Sequence, residues 1–107
     1  VSDDPLRGLR LRRATSSRDR LVGLLAGPPI GEDEGLVLEP CDAIHTFAMR
    51  FPIDVVFLDR SGRVLRVVER LAPWRIAWTP GARTVIETAA GTAGRLGIVR
   101  GLTLSVR

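Results

Sequence analysis

The run Ile53-Asp54-Val55-Val56-Phe57-Leu58 is apolar on both parities except at Asp54, and it constrains the fold more than any other stretch of the chain. Side chains of a strand alternate between the two faces of its sheet, so a strand that is apolar on both parities has to be covered on both sides. A chain of 107 residues can build one such core. We therefore expect Ile53–Leu58 to be the central strand of a single domain spanning residues 1–107.

The flanking sequence supplies partners for it. Leu9-Arg10-Leu11-Arg12-Arg13 alternates apolar and charged residues, the period of a strand with one wet face, and Gly35-Leu36-Val37-Leu38-Glu39 is a short strand stopped by Pro40. Beyond the central strand, Asp59-Arg60-Ser61-Gly62-Arg63 is a turn, and Val64, Leu65, Val67 and Val68 follow. Their spacing also fits a helix, but their β-branching and the hairpin-length turn favour a strand. Trp74, Ile76 and Trp78 share one parity between Pro73 and Pro80, which reads as a short edge strand or extended loop whose tryptophans could line a binding groove, although packing in the core or at its rim is the preferred reading. Residues 84–89 are a further strand, residues 92–98 a Gly-rich loop or single helical turn, and Leu102, Leu104 and Val106 alternate in a last strand. His45, Phe47, Met49 and Phe51 would line one face of an extended segment.

One helix is predicted early in the chain. Thr15, Ser16 and Ser17 are N-cap candidates, Leu21, Val22, Leu24 and Leu25 recur at helical spacing, and Gly27-Pro28-Pro29 stops the run. The expected architecture is mainly β (α+β by count): a small antiparallel β-barrel or sandwich of about seven short strands with one early helix.

All 16 basic residues are arginines, and the net charge is +4. That charge suits nucleic acid, an anionic ligand or an acidic protein. The alternating sign of the charges and the presence of only five aromatic residues for stacking weigh against nucleic acid. The single Cys excludes an intrachain disulfide, so nothing calls for an oxidising compartment. Val1-Ser2-Asp3-Asp4-Pro5 does not have the pattern of a signal peptide, and the cytoplasm is the default expectation. No apolar run approaches the roughly 18 residues that a spanning helix requires.

Two constellations carry chemistry. Cys41 and His45 are four residues apart, a spacing that could pair a thiol with a base, but a closed metal site draws about four ligands and this chain has one Cys and one His. A buried Cys is also a small hydrophobe, and His45 beside Ile44 and Phe47 suits a core or rim position. Asp54 is the sharper anomaly, because a carboxylate inside the most apolar run is costly to bury unpaired. Its partner is expected to be an arginine, such as Arg50 or Arg66, or backbone N–H groups at a turn. Alternatively Asp54 works with Glu87, itself between Ile86 and Thr88, as an acid/base pair on the floor of a pocket. Gly91, Gly94 and Gly97 match neither a dinucleotide fingerprint nor a phosphate-binding loop and read as turn glycines.

The stretch Ile44-His45-Thr46-Phe47-Ala48-Met49-Arg50-Phe51-Pro52-Ile53-Asp54-Val55-Val56-Phe57-Leu58-Asp59 closely resembles the signature of a prokaryotic family, domain of unknown function 192. Gly23-Leu24-Leu25, Pro40-Cys41, Val85-Ile86-Glu87 and Ala90-Gly91 agree as well, so the similarity runs over residues 18–106. His45, Met49, Asp54, Glu87 and Gly91 match the family pattern. Many relatives read Trp-Met-Lys-Asn-Thr where this chain has Phe47-Ala48-Met49-Arg50-Phe51. The resemblance implies a compact domain dominated by strands, and it brings no reaction, ligand or cofactor with it.

From sequence, then, the chain is expected to be a non-enzymatic module without cofactor or metal. It would bind a small molecule or a protein through a surface that includes His45, Met49, Arg50, Asp54 and Glu87. The alternative is a small hydrolase using the carboxylate pair or the Cys-His pair, with or without a metal.

Overall fold

The computed structural model describes residues 4–14 and 30–106. The helix expected over residues 15–25 lies outside the described residues. After a short 3-10 turn, Pro5–Gly8, come strands β1 (Arg10–Ala14), β2 (Glu34–Leu38), β3 (Ala43–His45), β4 (Ile53–Leu58), β5 (Val64–Leu71), β6 (Ile76–Trp78) and β7 (Thr84–Ala89), then helix α1 (Thr92–Leu96). The fold is mainly β.

Five strands form one sheet in the order β1-β2-β7-β4-β5, while β3 and β6 pair separately as a two-stranded ribbon. Every pairing is antiparallel except β1 with β2, which is parallel. Among the described residues the large sheet is open, ending on β1 and β5, so the arrangement is a sandwich-like stack of sheet and ribbon rather than a closed barrel.

β4 is buried at all six positions, as its apolarity on both parities demands. Val55, Phe57 and Ile53 face a core that includes Leu36, Leu38, Val85, Met49 and, from the ribbon, Ile44 and Ala77. Val56 and Leu58 face a second core built with Val37, Ile86, Leu6, Ala93, Ile98 and Leu104. The ribbon therefore covers one face of the sheet, and the 3-10 turn, α1 and the C-terminal segment cover the other.

Two sequence expectations change. Leu104 is buried and Thr103 and Ser105 are exposed, as the alternation of the last segment requires, but that segment is not a strand of the sheet: it bridges at Thr103 with Arg63. Among the described residues its backbone–backbone bonds reach only the start of β5, where Val64 donates to the carbonyl of Leu102 at 2.7 Å and accepts the N–H of Gly101 at 2.9 Å, and the turn before it, where Leu104 donates to the carbonyl of Gly62 at 2.9 Å. The segment after β3 is not extended: it turns at Phe47 and Ala48, with Ala48 at φ 65°, so Met49 goes into the core and Phe47 out to solvent. His45, Phe47, Met49 and Phe51 thus do not share a face.

Candidate functional site

Asp54 is completely buried, and its partners are backbone groups rather than a guanidinium. Oδ1 accepts the N–H of Arg70 at 2.9 Å, and Oδ2 accepts the N–H groups of Gly91 at 3.0 Å and Ala93 at 2.9 Å. The β4–β5 register slips between Ile53 and Val55, so two residues of β5 oppose Asp54, and Arg70 at that irregularity has φ 52°. Such a bulge leaves one residue without its ladder bond. The side chain of Asp54 supplies the missing acceptor. The same carboxylate caps α1, whose own N-cap residue, Gly91, has no side chain to do so and sits at φ 92°. Asp54 thus ties β5 and the start of α1 to the central strand.

Glu87 is equally buried but faces the other way. Residues directly opposite each other in an antiparallel pair point to the same side of the sheet. Asp54 opposes Thr88, whereas Glu87 opposes Val55 on β4 and Leu36 on β2. Glu87 is therefore on the ribbon side of the sheet and Asp54 on the helix side, and the two carboxylates do not form an acid/base pair.

Cys41 is half-buried, and its thiol donates to the carbonyl of Ala43 at 3.1 Å. It borders a cavity of about 370 Å³ together with Asp42, Arg60 and Arg83. His45 ends β3, where its Nδ1 accepts the N–H of Phe47 at 3.3 Å. Met49 is in the core and Arg50 is exposed. Among the described residues, no three His, Cys, Asp or Glu side chains are grouped so as to hold a metal ion. The five sequence candidates are therefore spread over both faces of the sheet, the core and the surface.

What the structure does bring together is a row of rings. In the ribbon Ala43 opposes Trp78, Ile44 opposes Ala77, and His45 opposes Ile76. Ile44 and Ala77 point into the core, so Trp78, Ile76 and His45 point outward. The His45 ring lies 4.8 Å from that of Phe47, and Phe47 stacks on Trp74 at 5.8 Å. Trp74 is 63% exposed, Trp78 61% and Ile76 57%, so the largest side chains of this segment are turned to solvent instead of the core. Contiguous apolar surface of this kind marks interaction sites on soluble domains.

Thr46, completely buried, holds the row in place. Its N–H donates to the carbonyl of Arg75 at 2.9 Å, and its own carbonyl accepts from Trp74 at 2.9 Å and Met49 at 3.2 Å. Its hydroxyl donates to the carbonyl of Ala72 at 2.7 Å and accepts the N–H of Arg75 at 2.9 Å. These bonds fix Trp74 at φ 65° and Ala48 at φ 65°, a region where residues other than glycine are strained. Thr46 escaped the sequence reading because nothing local distinguishes a buried threonine that bonds across a loop from one on a strand face.

The other large concavity, about 670 Å³, runs between β5 (Leu65, Arg66, Val67, Glu69) and residues 93–100, with Thr79 at its end. Arg66 connects it to the ribbon by donating from Nη1 to the carbonyl of Trp78 at 3.1 Å.

Fold and site together define a small globular, mainly β domain that presents an aromatic face on a two-stranded ribbon. The chain belongs to domain of unknown function 192 (DUF192), described as "Uncharacterized ACR", whose family model matches residues 2–106. Among curated proteins, none matches it. A crystal structure of a protein of unknown function from Novosphingobium aromaticivorans DSM 12444 is similar, with a TM-score of 0.74 at 25% identity over 87% of this chain and 71% of that one. So is a protein from Sinorhizobium meliloti 1021 described as a "putative transcription regulator", with a TM-score of 0.75 at 23% identity over 87% of this chain and 78% of the other. Among the described residues, no helix is long and apolar enough to cross a membrane.

Proposed function

We propose that the chain is a non-enzymatic binding module that recognises a partner protein through the row His45, Phe47, Trp74, Ile76 and Trp78. One observation carries this reading: both tryptophans of the chain are more than 60% exposed on one face while a buried threonine fixes the loops that present them. Rigid aromatic side chains that lose little entropy on binding are the usual anchors of protein interfaces. A neutral sugar is a poorer match, since the ribbon and its flanking turns offer few carboxylates and, the chain having no Asn or Gln, no amides to bond hydroxyls. The hydrolase alternative has less support, because Asp54 is occupied by three backbone N–H groups and Glu87 is across the sheet from it.

Selection of a phage-displayed random dodecapeptide library on the intact chain tests the proposal. Peptides should be enriched that shift the intrinsic tryptophan fluorescence and that fail to bind the Trp74→Ala/Trp78→Ala double variant. Failure to enrich any peptide, or equal binding to the double variant, would remove the aromatic row as the binding face.

A further inference from the structure

Resting on that reading, we propose that the outer edge of β6 is the docking strand and that its occupant is an extended, acidic segment of the partner. Backbone bonding within the ribbon sets the geometry. The N–H of Thr46 donates to Arg75 and the N–H of Thr79 donates to Asp42, so the mutually bonded positions of the ladder are 46 with 75, 44 with 77, and 42 with 79. In an antiparallel pair the positions between these turn their N–H and C=O groups away from the partner strand. For β6 those are Ile76 and Trp78. The carbonyl of Trp78 is taken by the Arg66 guanidinium, and among the described residues nothing pairs with the N–H of Trp78 or with either backbone group of Ile76.

An open strand edge beside exposed apolar side chains invites pairing with another chain, and folded proteins usually blunt it. Here, among the described residues, a single side chain, Arg66, hydrogen-bonds to it. A segment adding to this edge would receive backbone hydrogen bonds from Ile76 and Trp78, with alternate side chains against the aromatic row. The charge selects the occupant. Arg66 donates to the carbonyl of Trp78, and Arg50 and Arg75 lie in the turns next to β3 and β6, whereas of the two acidic residues in the turn before β3, Asp42 and Glu39, the latter is paired with Arg13 at 3.5 Å, so acidic side chains of an incoming strand meet unlike charge. A second copy of this chain would bring the same arginines together. Nucleic acid would match the charge, but Ile76, at the middle of the row, offers a base nothing to stack on.

The test uses dodecapeptides selected on the intact chain, resynthesised with N-methyl groups on either the odd or the even residues. Strand addition predicts that one methylated set binds about tenfold more weakly and the other like the parent, because only alternate N–H groups face β6. It also predicts Asp- and Glu-rich sequences and a loss of about tenfold in Arg66→Glu, measured by tryptophan fluorescence. Equal response to both methylated sets, in peptides that still require Trp74 and Trp78, would overturn strand addition and leave the binding face standing. Absence of any selected peptide would overturn both. Enrichment of basic sequences, tighter binding of single-stranded oligothymidylate than of peptide, or a dimer abolished by Trp74→Ala/Trp78→Ala would each overturn the acidic occupant.

Discussion

Oδ2 of Asp54 accepts the N–H of Ala93 at 2.9 Å, so the first turn of α1 is capped by a carboxylate that lies 39 residues earlier in the chain. With Gly91 and Arg70 also bonded to it, Asp54 closes three backbone donors that no other side chain among the described residues serves. Asp54→Asn retains one acceptor oxygen and places an NH₂ group against N–H donors. We expect a loss of about 2 to 5 kcal/mol, the range for leaving one or two buried donors unsatisfied. Urea unfolding gives the number. A midpoint within error of the parent would mean that these bonds do not hold α1.

Thr46→Val removes the hydroxyl and keeps the shape. The bonds to Ala72 and from Arg75 are lost together, and the stability should fall by about 1 to 3 kcal/mol. The more specific expectation concerns Trp74. Released from the loop that holds it at φ 65°, its ring should lose near-ultraviolet dichroism and gain mobility in time-resolved anisotropy. A variant that loses stability but leaves the tryptophan signals untouched would show that Thr46 serves the core alone.

The hairpin turn after β4 carries a pH dependence. Asp59 Oδ1 accepts from the Ser61 hydroxyl at 2.7 Å, the Arg63 N–H at 3.0 Å and the Ser61 N–H at 2.8 Å. The Ser61 hydroxyl first, then the Arg63 N–H, holds the carboxyl below its ordinary value of 3.8. A folded pKa below the unfolded one means that the contribution to stability is complete above 3.8 and is lost as pH falls through the folded value. Unfolding curves of the parent and of Asp59→Asn should therefore converge in acid and separate above it. Parallel curves throughout would contradict the assignment.

Phe57 is the largest side chain with no exposed surface. Phe57→Ala should cost about 3 to 5 kcal/mol, the range for truncating a large core aromatic. Calorimetry on this variant checks whether β4 is as central energetically as it is geometrically.

How much of this was legible in the sequence depends on the range of the interaction. β4 could be read because its burial is local information: six positions, apolar on both parities, with a turn immediately after. The partners of Asp54 could be narrowed to an arginine or backbone donors, but not chosen, since the choice depends on Gly91 and Ala93 arriving from another strand's end. The turn at Ala48 was hidden because it contains neither Gly nor Pro and is enforced from a distance through Thr46. The parallel pairing of β1 with β2 had no local mark either. Most instructive is β6. Alternation correctly grouped Ile76 and Trp78, with Trp74 exposed in the turn before them, yet a period of two says which residues share a face and not which face is buried. The buried face is the one with the smaller Ala77.

That inversion leads to the last prediction. If the tryptophans were there to hold the fold, replacing them would cost what a buried aromatic costs, about 3 to 5 kcal/mol each. With 63% and 61% of their surface in solvent, Trp74→Ala and Trp78→Ala should instead shift stability by no more than about 0.5 kcal/mol each, as ordinary surface substitutions do. Trp74→Gly should be no worse and could gain, because glycine adopts φ 65° without strain. Urea unfolding followed by far-ultraviolet dichroism measures all three without relying on the tryptophans as reporters. A loss of several kcal/mol would return these rings to a structural role. Stability near that of the parent, together with loss of the selected peptides, would show that the chain keeps its two largest aromatic side chains on the surface for recognition.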